Sequence, residues 1–169
     1  NPQMEGDEVA AAIVKSYIDD DWRLEDPAYV GSLSRQQAAR EVNPDATLTA
    51  IDLGQLESVH SALNNLIVTL QGIDQKVVAR ARSYAQSFES VFGDEWPSPY
   101  IDLGHFSQLI QNEIDNAEVI AAAKAFDAAY YGAIVAEKHG NARAGATGMA
   151  IYFPVRSLYE VAYNLGYRE

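Results

Sequence analysis

Cysteine is absent from the 169 residues, which excludes disulfides, thiolate metal ligands and a cysteine nucleophile together. Basic residues are scarce: twelve lysines and arginines stand against twenty-four acidic residues, for a net charge of −12. A field of that sign repels phosphate backbones and anionic lipid surfaces, so neither nucleic acid nor a membrane is an expected partner. No apolar run approaches the ~18 residues that a membrane-spanning helix needs. No block of five like charges marks a solvated tail. Asn1-Pro2-Gln3-Met4-Glu5 supplies neither the basic nor the apolar region of a signal peptide, and such a start suggests a segment processed or excised from a longer chain.

What is present describes a globular chain. Apolar residues make up 48% and charged residues 21%, and the length is close to the ~150 residues of one domain, so residues 1–169 are read as a single domain. The acidity is uneven, with residues 1–45 at −6, residues 46–114 at −5 and residues 115–169 at only −1. Val9, Ile13, Val14, Tyr17 and Ile18 recur at helical spacing and predict a first helix from Asp7 to about Trp22. Residues 23–45 are rich in turn formers, including Asp26-Pro27, Gly31-Ser32 and Asn43-Pro44-Asp45. They predict a surface loop excursion with one short helix over Ser34–Arg40.

Thr47-Leu48-Thr49-Ala50-Ile51 reads as a strand, and Asp52 with Gln55 three residues on reads as a capping box opening a helix. Leu56, Val59, Leu63, Leu66 and Leu70 form the stripe of that helix, which Gly72 ends. A further helix is predicted from Asp74 to Phe92, with Val78, Ala81, Tyr84, Ala85 and Phe88 inward, before the break at Gly93–Pro99. Ile101-Asp102-Leu103-Gly104-His105-Phe106 then repeats Ile51-Asp52-Leu53-Gly54-Gln55-Leu56 fifty residues later. Two copies are too few for a solenoid, which leaves local mimicry of one strand-to-helix entry. Asp115–Lys138 predicts a long helix closed by His139-Gly140, and Asn141–Thr147 a small flexible loop. Gly148–Pro154 predicts a short strand, and Ser157 a cap for a last helix. The fold class is therefore mostly α with a few short strands, α+β.

Residues able to carry chemistry are sparse. His60, His105 and His139 are more than thirty residues apart, and none has a carboxylate or second histidine at metal-ligand spacing. Ordinary structural roles fit them better: His60 near an inner helix face, His105 after a capping aspartate, His139 in a last helical turn where positive charge is favourable. A catalytic histidine would need a nucleophile, and no Gly-x-Ser-x-Gly elbow occurs. Asp19-Asp20-Asp21 could contribute oxygens to a calcium site, yet the glycine and terminal glutamate of a calcium loop are missing. No other cofactor is evident. Asp52 and Asp102 could pair as acid and base, but both are better explained as helix caps worth ~1 kcal/mol each. The prolines and Trp96 of the 93–99 loop could form a recognition surface, but an aromatic anchoring its loop to the core is the commoner role.

In order and separation, Thr47–Leu53, Tyr100-Ile101-Asp102-Leu103 and Gly148-Met149-Ala150-Ile151-Tyr152-Phe153-Pro154, preceded by an early amphipathic helix, form a combination. It resembles the part of clostripain-family cysteine peptidases that follows the catalytic cysteine, over about Gly6–Tyr159. The resemblance implies a caspase-like α/β/α peptidase whose histidine and cysteine both precede this segment, with many members cutting after basic residues. It assigns no catalytic, cofactor-binding or metal-binding residue to this chain, and it makes the chain a largely helical support for the catalytic domain. Alone, the chain should then hydrolyse no peptide. The implied partner is the upstream catalytic segment, or a second copy. Met149, Ile151 and Phe153 alternate with Ala150 and Tyr152, as expected of a strand buried on both sides in a larger sheet. A secreted or periplasmic location would follow from the family. Residues 23–45 exceed what the family link needs, and the chain stops soon after Pro154, which leaves a stand-alone interaction module as the alternative.

Overall fold

The computed structural model describes residues 4–18, 21–88 and 97–159. Within them the chain is mostly helical, with four short strands in two small antiparallel sheets. A central helix, Ala117–Ala133, carries Val119, Ala123, Phe126, Tyr130 and Ala133 on its inner side, each fully or almost fully buried. The preceding elements pack around it: a helix at Leu56–Gln71 through Val59, Leu66 and Leu70, and a helix at Leu103–Glu113 through Phe106 and Ile110. Full burial of an aromatic such as Phe126 contributes roughly 1.5–3 kcal/mol.

In chain order the helices are α1 (Gly6–Ser16), α2 (Pro27–Val30), α3 (Arg35–Val42), α4 (Leu56–Gln71), α5 (Gln75–Tyr84), α6 (Leu103–Glu113), α7 (Ala117–Ala133) and α8 (Arg156–Tyr159). The strands are β1 (Thr47–Ile51), β2 (Tyr100–Asp102), β3 (Ile134–His139) and β4 (Ala150–Tyr152). β1 pairs with β3, Thr49 opposite Glu137, with an irregularity between Ala50 and Ile51. β2 pairs with β4, Ile101 opposite Ile151. α1 lies against the β1–β3 sheet, and Lys138 Nζ donates to the carbonyls of Lys15 and Tyr17, where the helix dipole favours a cation.

Several elements differ from the sequence expectations. α1 stops at Ser16, because Ile18 turns to φ 71°, a left-handed conformation that is uncommon for a β-branched residue. Its side chain is 3% exposed in a satellite cluster with Leu24 and Ala38, which holds the backbone there, while Val9 and Ile13 face solvent. Residues 23–45 hold the expected short helix as α3, Arg35–Val42 with Ser34 its cap, and besides it α2 and two 3-10 turns, Trp22–Leu24 and Asn43–Asp45. Asp21, Asp26 and the Ser34–Gln37 capping box close these short elements. So few apolar residues build the satellite cluster that composition hides it.

α5 ends at Tyr84, which is exposed, instead of reaching Phe92. Beyond it, residues 86–88 run beside β2: the Phe88 N–H donates to the Tyr100 carbonyl, and the Asp102 N–H donates to the Gln86 carbonyl. These bonds replace helical ones, and residues 89–92 lie outside the described part, as does Trp96. The predicted Asp115–Lys138 helix is α7 followed by β3. Ile134, four residues after Tyr130, packs on the core, so the helical periodicity runs on through the junction. Pairing with β1 and the β-branched Ile134-Val135 decide for a strand. At the C-terminal side, Ser157 lies inside α8 and does not cap it. β4 has a partner on one side among the described residues; Met149, Ile151 and Phe153 pack on the core, and Ala150 is exposed.

Candidate functional site

The two copies of the repeated hexapeptide fold alike and are buried differently. Both lead from a strand through an aspartate into a helix. Asp52 is exposed, and its carboxylate accepts one backbone bond, from Gly54 N at 2.8 Å, opening a 3-10 turn at Leu53–Gln55 before α4. The expected capping box with Gln55 does not form. Asp102 is 1% exposed. Its Oδ1 accepts the His105 N–H at 2.9 Å, the expected cap of α6, together with the Thr147 hydroxyl. Its Oδ2 accepts the Thr147 N–H at 2.7 Å and, more distantly, the Gly148 N–H at 3.4 Å.

The hydroxyl inventory orders this network. Thr147 has one hydroxyl proton and gives it to Asp102, so the Tyr130 hydroxyl, 2.9 Å away, donates to Thr147 and accepts the Met149 N–H at 2.8 Å. Gln86 closes the other side: its N–H donates to His105 Nδ1 at 3.0 Å, and its side-chain oxygen accepts the Gly145 N–H at 3.3 Å. Residues 144–149 are thus latched over the start of α6, where the sequence predicts a flexible loop. With both oxygens engaged, Asp102 has no free lone pair aimed at a substrate, and it is not paired with Asp52.

Gly148, at φ 143°, brings the latched loop against the β1–β3 sheet; a Cβ there would stand 2.5 Å from Ile134 Cδ1 and 3.3 Å from Thr49 Cγ2. Beside this contact lies a cleft of about 450 Å³, bordered by Thr47, Leu48, Thr49, Ile51, Phe88, Asp102, Glu137, Ala146, Gly148 and Ala150. Thr47, Thr49 and Ile51 alternate onto one face of β1, and Glu137, paired with Thr49 on β3, shares it, so the cleft lies over that face of the sheet. The edge of β1 away from β3 pairs with no strand among the described residues.

The remaining candidates are dispersed. His60 is exposed and bonds Asn64 one turn on. His139 ends β3 rather than a helix, its Nδ1 2.8 Å from Glu137. Ser107, fully buried, donates to Asp127 at 2.7 Å with Gln111 on the other carboxylate oxygen, and no histidine intervenes to activate it. This α6–α7 tie was missed from sequence; Ser107 and Gln111 lie one turn apart, but nothing local names Asp127 as their partner. Asp21 is held by Arg23, which lowers its pKa through side-chain hydrogen bonds at 2.6–3.1 Å; Asp19 and Asp20 lie outside the described residues. Among the described residues no helix is long and apolar enough to cross a membrane. No protein-family model, curated protein or solved structure matches the chain.

Burial pushes the Tyr130 phenol up to about 12 from an ordinary 10.0. Between those values the folded chain keeps a proton that the unfolded chain releases, so stability falls as pH rises through that window. Tyr130→Phe should cost about 1 kcal/mol at neutral pH and flatten the alkaline decline. Denaturation midpoints measured from pH 7 to 11 check this; an unchanged alkaline slope in the variant contradicts it.

Proposed function

We propose that this chain is the non-catalytic, largely helical portion of a clostripain-like cysteine endopeptidase, supporting a caspase-like catalytic domain whose histidine and cysteine lie outside it. One observation supports this above others. The three segments that carry the resemblance, Thr47–Leu53, Tyr100–Leu103 and Gly148–Pro154, are about fifty residues apart in sequence and border the same cleft. One strand that lines it, β1, keeps an edge that pairs with no strand among the described residues. Two-stranded sheets are marginal alone, and an edge of this kind accepts an added strand through its free backbone groups. A strand from the upstream segment would extend β1–β3 into the larger sheet of an α/β/α sandwich.

Sedimentation of the chain with and without the separately expressed upstream segment tests the proposal. A stable one-to-one complex is expected. A monomer indifferent to that segment overturns the support role and leaves the self-contained interaction module.

A further inference from the structure

A second feature, on the other side of β4, is independent of that proposal. Arg82, on α5, is 7% exposed. Its Nε donates to the Phe153 carbonyl at 2.9 Å and its Nη2 to the Ser98 carbonyl at 2.5 Å. No carboxylate among the described residues pairs with it, and its remaining N–H groups have no partner among them. A guanidinium has five donors and always carries its charge. Burying it against neutral carbonyls is costly, and burial depresses its pKa. Among the described residues it thus has no counter-charge, in a chain with twice as many acids as bases.

Arg82 borders a cavity of about 630 Å³, within the ~300–1,000 Å³ usual for small-molecule sites. The same cavity is walled by Val78, Phe153, Pro154 and Val155, with Arg156 also on its wall. Through Gln75, Val78 and Phe153 it adjoins an apolar groove of about 330 Å³ that continues to Leu63, Ile67 and Phe106. A buried cation at one end and apolar walls leading away from it describe an amphipathic ligand with an anionic head. The net charge of −12 opposes polyanions, nucleic acid and anionic membranes at a distance. A single carboxylate meets least of that repulsion, matches one guanidinium in charge, and suits its two-pronged geometry.

We propose that this cavity binds a small aliphatic monocarboxylate, its head on Arg82 and its chain along Val78 and Phe153. The test uses the whole chain titrated calorimetrically with n-octanoate and with 1-octanol at pH 7. Octanoate should bind at least about tenfold more tightly, the size expected of a charge-assisted pair. Arg82→Gln, if it folds by circular dichroism, should abolish that preference. Ala79→Trp places a bulky ring at the exposed mouth and keeps the guanidinium itself, and should block octanoate whether or not Arg82→Gln folds. Equal binding of octanoate and octanol, no binding of octanoate, or octanoate affinity unchanged in Ala79→Trp overturns the proposal and leaves Arg82 as a structural tie between α5 and the ends of β2 and β4.

Discussion

Asp102→Ala should lower stability by about 3–5 kcal/mol, whereas Asp52→Ala should cost only ~1 kcal/mol, although both aspartates occupy the same place in a repeated hexapeptide. The difference follows from what each carboxylate holds. Asp52 accepts one exposed bond, and water can replace it. Asp102 accepts close bonds from His105 N, Thr147 N and the Thr147 hydroxyl with almost no solvent access. Its removal leaves those donors without a charged acceptor and frees residues 144–149. Asparagine separates the two sites further. Asp52→Asn should be nearly neutral, because asparagine caps about as well. Asp102→Asn should cost most of the alanine value, since its amide offers one acceptor oxygen where two are used and turns a donor toward another donor. Urea denaturation of the four variants decides it, and equal losses at the two positions would refute the distinction.

That asymmetry marks how far the sequence could be read. The repeat announces two strand-to-helix entries, and both form. Burial of Asp102 depends on Thr147, forty-five residues downstream, and no local pattern pairs them. The leucine stripe of α4 was legible because a one-sided helix writes its buried face at a fixed period. The α7–β3 junction was not, because Tyr130 and Ile134 face the core at a spacing that both a helix and a helix-to-strand turn satisfy. The satellite cluster of Ile18, Leu24 and Ala38 escaped notice for the opposite reason: it has too few apolar residues to make a period. Helical spacing puts Arg82 one turn after Val78 and three residues before Ala85, on the inner stripe of α5, but names no partner for a cation there. Its partners, the Ser98 and Phe153 carbonyls, come from segments that local spacing does not connect to α5.

Gly104→Ala should be the second severe substitution, and its twin Gly54→Ala close to neutral. A Cβ on Gly104 would stand 2.3 Å from Thr147 Oγ1 and 2.8 Å from Tyr130 Cε1. Neither neighbour can retreat cheaply: Thr147 is fixed by Asp102, and the Tyr130 ring is fully buried against Phe126, with ring centroids 5.3 Å apart. Overpacking of this kind costs about 1–3 kcal/mol or more, which outweighs the roughly 1 kcal/mol gained by placing alanine in a helix. On Gly54 the same Cβ meets only the Asp52 carboxylate, Oδ1 at 3.1 Å, and that exposed side chain can swing aside. Thermal unfolding should therefore fall by several degrees for Gly104→Ala, at about 2–4 °C per kcal/mol for a domain of this size, and hardly move for Gly54→Ala. Coupling gives the sharper check. Thr147→Ala removes the hydroxyl that the new methyl group would strike, so the double variant Gly104→Ala/Thr147→Ala should be less destabilised than the two single losses added together. Strict additivity would mean that Gly104 is not where α6 makes room for the latched loop, and that the loop is held by Asp102 alone.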